Sequence, residues 1–400
     1  MVRWLHISDL HIKEKADWYS YRNEIVEKCN EIGKIDFIIV TGDFHDFSEG
    51  ADFHSAEEFL KELTENLKLD IASDLFVIPG NHDGVTRVED KKLYVDALKC
   101  NPLSPAEACI PQLERAFEDY EAFVKQLIPD YPVEHPAEIH IRNWKDKINF
   151  IHCNTAIASD GRGEKQNQIL NIDSLWMIKP DKNRVNIILA HNSFYDLNQD
   201  IQKRLIDFMR INKVAAYFCG DKHQQDFFNI SINDKKNERV PCIVSFKSAP
   251  ESNDIYSNFG MIIGEWDGEK AKVQGWTWKS GQGFNIDPKI TGIEIDMNIV
   301  SKTVDNTVKQ VEEQKTRENV SEQVKGEDFK NLELKRRVGR NYHRMTPYMI
   351  VKYNSVYERK GWGIRSGYTE KEISDYIQRA EEGLILDEIN QFINALLSGD

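Results

Sequence analysis

Five short apolar runs in this chain each end on residue types that bind metal ions. The endings are Asp9 and His11 in ISDLHI, Asp43 in IIVTGDFHD, Asn81 and His82 in FVIPGNHDG, His191 in NIILAHNS and His223 in YFCGDKHQ. Apolar runs of this length read as buried strands, so each ending is a loop at a strand's carboxyl edge. Open α/β sheets place their ligands along that edge. Carboxylates, imidazoles and an amide gathered there form a mixed N/O pocket suited to a pair of divalent cations. A single ending of this kind would mean little, but a series reads as a dimetal site.

The blocks Asp9-Leu10-His11, Gly42-Asp43-Phe44-His45-Asp46, Gly80-Asn81-His82-Asp83 and His191 stand in the order of D-x-H, G-D-x-x-D, G-N-H-D/E and a lone His. In that order and spelling the chain resembles the calcineurin-like metallophosphoesterases over roughly residues 1–280. The fifth block departs from the family's G-H-x-H, reading Gly220-Asp221-Lys222-His223. The resemblance implies an α/β fold, a two-sheet sandwich flanked by helices. It also implies that Asp9, His11, Asp43 and His223 hold one cation and that Asn81 and His191 hold a second. Asp43 would bridge the two, since each carboxylate oxygen can bind one cation whereas an imidazole offers one lone pair.

Two cations about 3.5–4 Å apart can deprotonate a water and clamp phosphate oxygens for in-line attack, so the nucleophile is a metal-bound hydroxide and not a side chain. In the resembled family the histidine matched by His82 protonates the leaving oxygen, and the carboxylate matched by Asp46 orients it. Asp221 stands where the family has a histidine for the second metal. Retained coordination by a harder oxygen ligand is the preferred reading; it shifts preference toward Mn²⁺ or Mg²⁺, with two Mn²⁺ ions the expected pair and Mg²⁺, Fe or Zn the alternatives. A weakened second site is the alternative. His6, His54, His135, His140, His152 and His343 lie outside the blocks and read as structural, while His45 sits inside one without an assigned role.

Through about residue 220 strands alternate with helical patterns, which indicates βαβ units and a largely parallel sheet. Beyond it DFFNISI, VPCIVSF, FGMIIGEW and AKVQGWTW follow one another as antiparallel hairpins. The resemblance assigns these to the second sheet. The alternation in VQGWTW buries either Val273, Gly275 and Thr277 or Trp276 and Trp278. The expected organisation is a catalytic domain over 1–285, with a cap-like insert at about 84–145 around one amphipathic helix. A polar linker over 286–333 and a small, mainly helical C-terminal domain over 334–400 complete it.

The net charge of −14 argues against binding nucleic acid by bulk electrostatics alone, though metal ions bring their own positive charge to a phosphate. Lys335, Arg336, Arg337 and Arg340 cluster beside Tyr342 and could grip phosphates, although a charge run is more often a solvated face. The first block begins at Ile7, leaving no room for a signal peptide. No apolar stretch approaches the ~20 residues of a membrane helix, so a cytoplasmic location is expected. The six cysteines show no CxxC spacing and read as reduced packing residues.

Phe47-Ser48 after Asp46, and Asp83 in place of glutamate, turn the reading away from protein phosphatases. WLHISDLHI and GNHD look more like the phosphodiesterase and nuclease branches. The expectation is a nuclease or nucleic-acid-directed phosphodiesterase; the alternative is a cyclic- or dinucleotide phosphodiesterase. A scaffold with a decayed site is a third reading, to which only the Asp221 departure lends support. An ATPase or other protein partner, or a second copy of the chain, would engage the C-terminal region.

Overall fold

The computed structural model describes residues 1–12, 15–45, 53–84, 95–96, 103, 109–159, 168–233, 236–248 and 259–297, with 353, 388–389 and 391–393 nearer the carboxyl end. The chain divides into two compact units, Met1–Asp305 and Asn306–Asp400. In the second unit Tyr353, Ile389 and Ile393 are buried, and the rings of Tyr353 and Phe392 meet at 6.0 Å. The remainder of the expected C-terminal domain, the expected linker beyond residue 297 and the Lys335–Arg340 cluster lie outside the described residues, while residues 293–296 of that linker form a strand instead.

The first unit is built on three parallel strands, β1 (Val2–Ile7), β2 (Phe37–Thr41) and β3 (Leu75–Ile78). Parallel neighbours need long crossovers. These are α1 (Lys15–Ile32), which joins β1 to β2, and α2 (His54–Asn66) with the short α3 (Ile71–Asp74), which join β2 to β3. Strand β2 is buried along its whole length, which is why FIIVT carries no polar alternation.

The chain then forms α4 (Cys109–Glu114) and α5 (Glu118–Leu127). Tyr120, Phe123, Val124 and Leu127 on α5 join the core that packs α1 and α2 against the first sheet. The helix expected in a cap is thus part of that helical layer, held by ring contacts from Phe123 to Phe44 (5.2 Å) and Phe53 (4.8 Å). The region expected as an insert also supplies a strand, β4 (His140–Trp144), at the edge of the second sheet.

That sheet continues through β5 (Ile148–Cys153), β6 (Val185–Ala190) and β7 (Val214–Cys219), which are parallel, with α6 (Ile172–Met177) and α7 (Gln199–Ile211) between them. After β7 come β8 (Asp226–Asn233), β9 (Glu238–Val244), β10 (Phe259–Trp266), β11 (Lys270–Lys279), β12 (Gly283–Ile286) and β13 (Ile293–Asp296). The two sheets run β12-β11-β10-β1-β2-β3, with β13 also on β11, and β4-β5-β6-β7-β9-β8.

The late strands therefore do not make the second sheet by themselves, as the sequence reading expected. Only β8 and β9 join it, with β9 parallel to β7, whereas β10 pairs antiparallel with β1 and carries β11 to β13 into the first sheet. The reason lies in β10, whose residues are buried on both faces apart from Glu265 and which therefore suits a central place beside β1. The VQGWTW alternatives resolve as a division between faces. Val273, Gly275 and Thr277 are buried, while Trp276 and Trp278 are partly buried against the α1 and α2 layer.

Between the sheets lies a core of Trp4, Phe37, Ile39 and Phe76 facing Phe150, Ile187, Leu189 and Phe218. Truncating one such aromatic to alanine costs about 3–5 kcal/mol. The five block endings emerge at one rim of this sandwich. Among the described residues no helix is long and apolar enough to cross a membrane.

Candidate metal centre

Loops from both sheets meet at the rim and hold each other in place. Beyond the strands, Asp9 N–H donates to Gly42 O (3.0 Å) and His11 N–H to Asp43 O (3.0 Å), so the first two ligand loops run side by side. From the other sheet Gly220 N–H donates to His191 O (2.9 Å). Asp9, His11, Asp43, Asp221 and His223 all adopt positive φ, between 43° and 70°. Asp and His tolerate this left-handed region better than most residues, yet it costs of order 1–3 kcal/mol per residue and clusters at functional sites.

Three glycines make room for this crowding. Gly42 has φ of +91°. Gly80 serves close approach and not a left-handed turn, since a Cβ there would lie 2.2 Å from Asp43 Oδ1. A Cβ on Gly220 would lie 1.8 Å from Ser8 Oγ and 2.5 Å from Asp9 Oδ2.

The side chains converge in two groups. In the first, His11 Nε2 and His223 Nε2 stand 3.1 Å apart, and His223 Nε2 is 3.4 Å from Asp9 Oδ1. In the second, His191 Nε2 lies 2.8 Å from Asn81 Oδ1, 3.3 Å from Asp43 Oδ2 and 3.5 Å from Asp221 Oδ1. Asp43 Oδ2 is also 3.7 Å from His11 Nε2, so one oxygen faces both groups. The other, Oδ1, accepts the His82 backbone N–H at 2.8 Å. Asp43 thus stands where a carboxylate shared by two cations would, with Oδ2 facing both groups and Oδ1 held by the His82 amide.

This donor set fits divalent cations. Asp9 Oδ1 is buried without a hydrogen-bond partner, and the His11 and His223 Nε2 atoms stand 3.1 Å apart, a spacing that suits two ligands of one ion as well as a single N–H···N bond. Nitrogen ligands about 2.0–2.1 Å from one ion stand about 3 Å apart at right angles. His191 Nδ1 donates to Thr41 O (2.7 Å), which can only accept, so its Nε2 is the atom left for a metal.

Electrostatics follow the same division. Burial favours a neutral Asp43, but the His191 and His11 imidazoles outweigh it and hold the carboxyl far below its ordinary range. Asp9 is also lowered, burial being overcome by His223 and His191. Burial likewise opposes charge on His191, yet Asp43 and Asp221 raise it well above 6.5. His223 is raised by Asp9 beside it, whereas burial lowers His11. A cation would take the place of the protons that the buried carboxylates retain on the imidazoles.

All seven residues expected as ligands, Asp9, His11, Asp43, Asn81, His191, Asp221 and His223, thus border one site. His82 joins it, its ring 4.7 Å from that of His11. Asp46, expected to orient His82, lies outside the described residues. His45 packs edge-on against Phe53 at 4.6 Å. His6 is buried against Thr41 Oγ1 (2.9 Å) and burial lowers it to about 3, in keeping with a structural role.

The sequence reading overlooked Asp83 except as a branch marker. Its carboxylate accepts three backbone N–H groups, from Asp43 (2.8 Å), Phe44 (2.9 Å) and Gly80 (2.8 Å), and so ties the second ligand loop to the third. Burial and the nearby Asp43 charge push its pKa up. Only its adjacency to His82 in GNHD could have signalled this bracing role.

Paired mixed sheets with carboxylates and imidazoles converging at their rim define a metal-dependent phosphoesterase. The chain belongs to the calcineurin-like phosphoesterase family, whose model matches residues 2–225. No curated protein matches the sequence. Similar solved structures include vacuolar protein sorting 29 from Cryptosporidium parvum, at 11% identity and a TM-score of 0.34, covering 74% of this chain and 98% of that one. TT1561 of Thermus thermophilus is 13% identical with a TM-score of 0.35, covering 65% and 93%. GAP50, described as the anchor in the inner membrane complex of Plasmodium, is 13% identical with a TM-score of 0.37, covering 73% and 89%.

Proposed function

We propose that the protein is a dimetal phosphodiesterase directed at nucleic acid, acting as a nuclease. The observation that carries the dimetal phosphoesterase part is the Asp43 oxygen standing between the Asp9, His11, His223 group and the Asn81, His191, Asp221 group. Cations held by these groups would supply Lewis acidity and a lowered water pKa. The nucleic-acid part rests on the WLHISDLHI and GNHD spellings and on the Lys335–Arg340 cluster. A cytoplasmic site of action and a protein partner at the C-terminal region belong to the same reading.

Within the chain, His82 is the proton donor to the leaving oxygen. Its backbone N–H is held by Asp43 Oδ1, and its ring stands beside that of His11 at the rim of the site. Asp83 keeps the spacing of Asp43 and Asn81, and Thr41 sets the His191 tautomer. Asp221 contributes a second carboxylate to the Asn81 and His191 group, which makes that group harder and favours Mn²⁺ over Zn²⁺.

The test is hydrolysis of bis-p-nitrophenyl phosphate, single- and double-stranded DNA, RNA and cyclic nucleotides after chelation and metal return. Activity should vanish with the metal and return better with Mn²⁺ than with Zn²⁺. Full activity with no residual metal by elemental analysis would refute the dimetal reading. Cleavage of cyclic nucleotides alone would refute the nucleic-acid reading.

A further inference from the structure

Among the described residues Tyr195 is one of the few large aromatic side chains left exposed, with 49% of its surface open to solvent. It belongs to the short 3₁₀ turn Phe194–Asp196, which begins three residues after the ligand His191. Phe194 is buried beneath it and anchors the turn. The next residue, Asp196, pairs with Lys222 Nζ at 3.1 Å, and Lys222 lies between Asp221 and His223. The turn is therefore tethered to both ligand loops of the second sheet. The Tyr195 ring rests on that of Phe228, on the edge strand β8, with centroids 4.8 Å apart and planes tilted by 32°. An aromatic face is held, open to water, on a turn tied to the loops that carry His191, Asp221 and His223.

We infer that Tyr195, backed by Phe228, is a stacking platform for a nucleobase next to the scissile phosphodiester. The inference rests on the nucleic-acid reading above and names the element that would hold the base. Aromatic faces accept any base, and such stacking is sequence-tolerant. An aromatic serving only to cover the edge of β8 would need no tether to the ligand loops. Lys222, committed to Asp196, fixes the platform and leaves phosphate neutralisation to the metal centre. Tyr195 is a binding residue, so its removal should weaken substrate capture and spare the chemical step.

The experiment compares two oligonucleotides of equal length, one base-bearing and one abasic on both sides of the scissile phosphate, with the full-length, metal-loaded protein. Tyr195→Ala should raise KM for the base-bearing substrate roughly five- to a hundredfold, with kcat and the abasic KM little changed. Tyr195→Phe and Tyr195→Trp should keep the wild-type KM. Independently of turnover, a cleavage-resistant phosphorothioate oligonucleotide carrying 2-aminopurine should lose fluorescence on binding the metal-loaded wild type, and less so on binding Tyr195→Ala.

Equal effects on base-bearing and abasic substrates, or none on either, would overturn the platform while leaving the nuclease reading intact. Hydrolysis of neither oligonucleotide by wild type, with bis-p-nitrophenyl phosphate still cleaved, would overturn both.

Discussion

At the scale of single residues, the site separates groups that would bind metal from groups that hold them in place. His82→Ala should leave metal content near wild type while slowing hydrolysis of substrates with poor leaving groups by ~10²–10⁴. An activated nitrophenyl ester should suffer less. Loss of metal by elemental analysis would reassign His82 as a ligand. Asp83→Asn should behave in the opposite way. An amide presents one accepting oxygen where three N–H groups now converge, so at least one buried donor is left unpaired, at about 1–3 kcal/mol. A lowered Tm together with weaker metal binding, by calorimetry and metal titration, is the expected result. The ligand residue types were legible in the sequence because each ends an apolar run. The bracing by Asp83, Thr41 and Gly220 was not, because it depends on backbone groups of other loops that no spacing reveals.

At the scale of elements, the edge strand β4 introduces an acid-sensitive joint. His140 and His152 face each other across β4 and β5, with rings stacked at 4.4 Å. Burial lowers His140 to about 4 and His152 well below 6.5. Both are neutral when folded, so the stability they support is complete above about pH 6.5 and is lost as pH falls toward 4, where protons bind the unfolded chain first. His140 alone should account for a loss of about 3 kcal/mol by pH 4. Denaturant unfolding between pH 7 and 4 should show this decline, and His140→Gln should flatten it. The βαβ alternation of β1 to β3 and β5 to β7 could be read directly from apolar runs and helical spacing. The destination of β10 could not, since a strand buried on both faces looks the same in either sheet.

At the scale of the whole molecule, two units share one chain, and the proposed division of labour is open to test. Replacing Lys335, Arg336, Arg337 and Arg340 by alanine should weaken polynucleotide binding and flatten the log K against log salt slope by ~0.7–0.9 for each phosphate no longer neutralised. Hydrolysis of a small phosphodiester should be unchanged. Unaltered binding and slope would assign the cluster to a protein partner. Within the first unit, residues 245–248 after β9 join the two sheets beside the ligand loops. Ser245 N–H donates to Cys219 O (2.8 Å), and Ser248 N–H donates to Ser8 O (2.8 Å) beside Asp9. This seam resembles a clasp with the ligands of both halves gathered beneath it. Sliding of one sheet over the other would pull Asp9, His11, Asp43 and Asn81 away from His191, Asp221 and His223. A pair of cations bound between them would act as rivets through the sandwich, making the fold's resistance to shear and its chemical competence the same property.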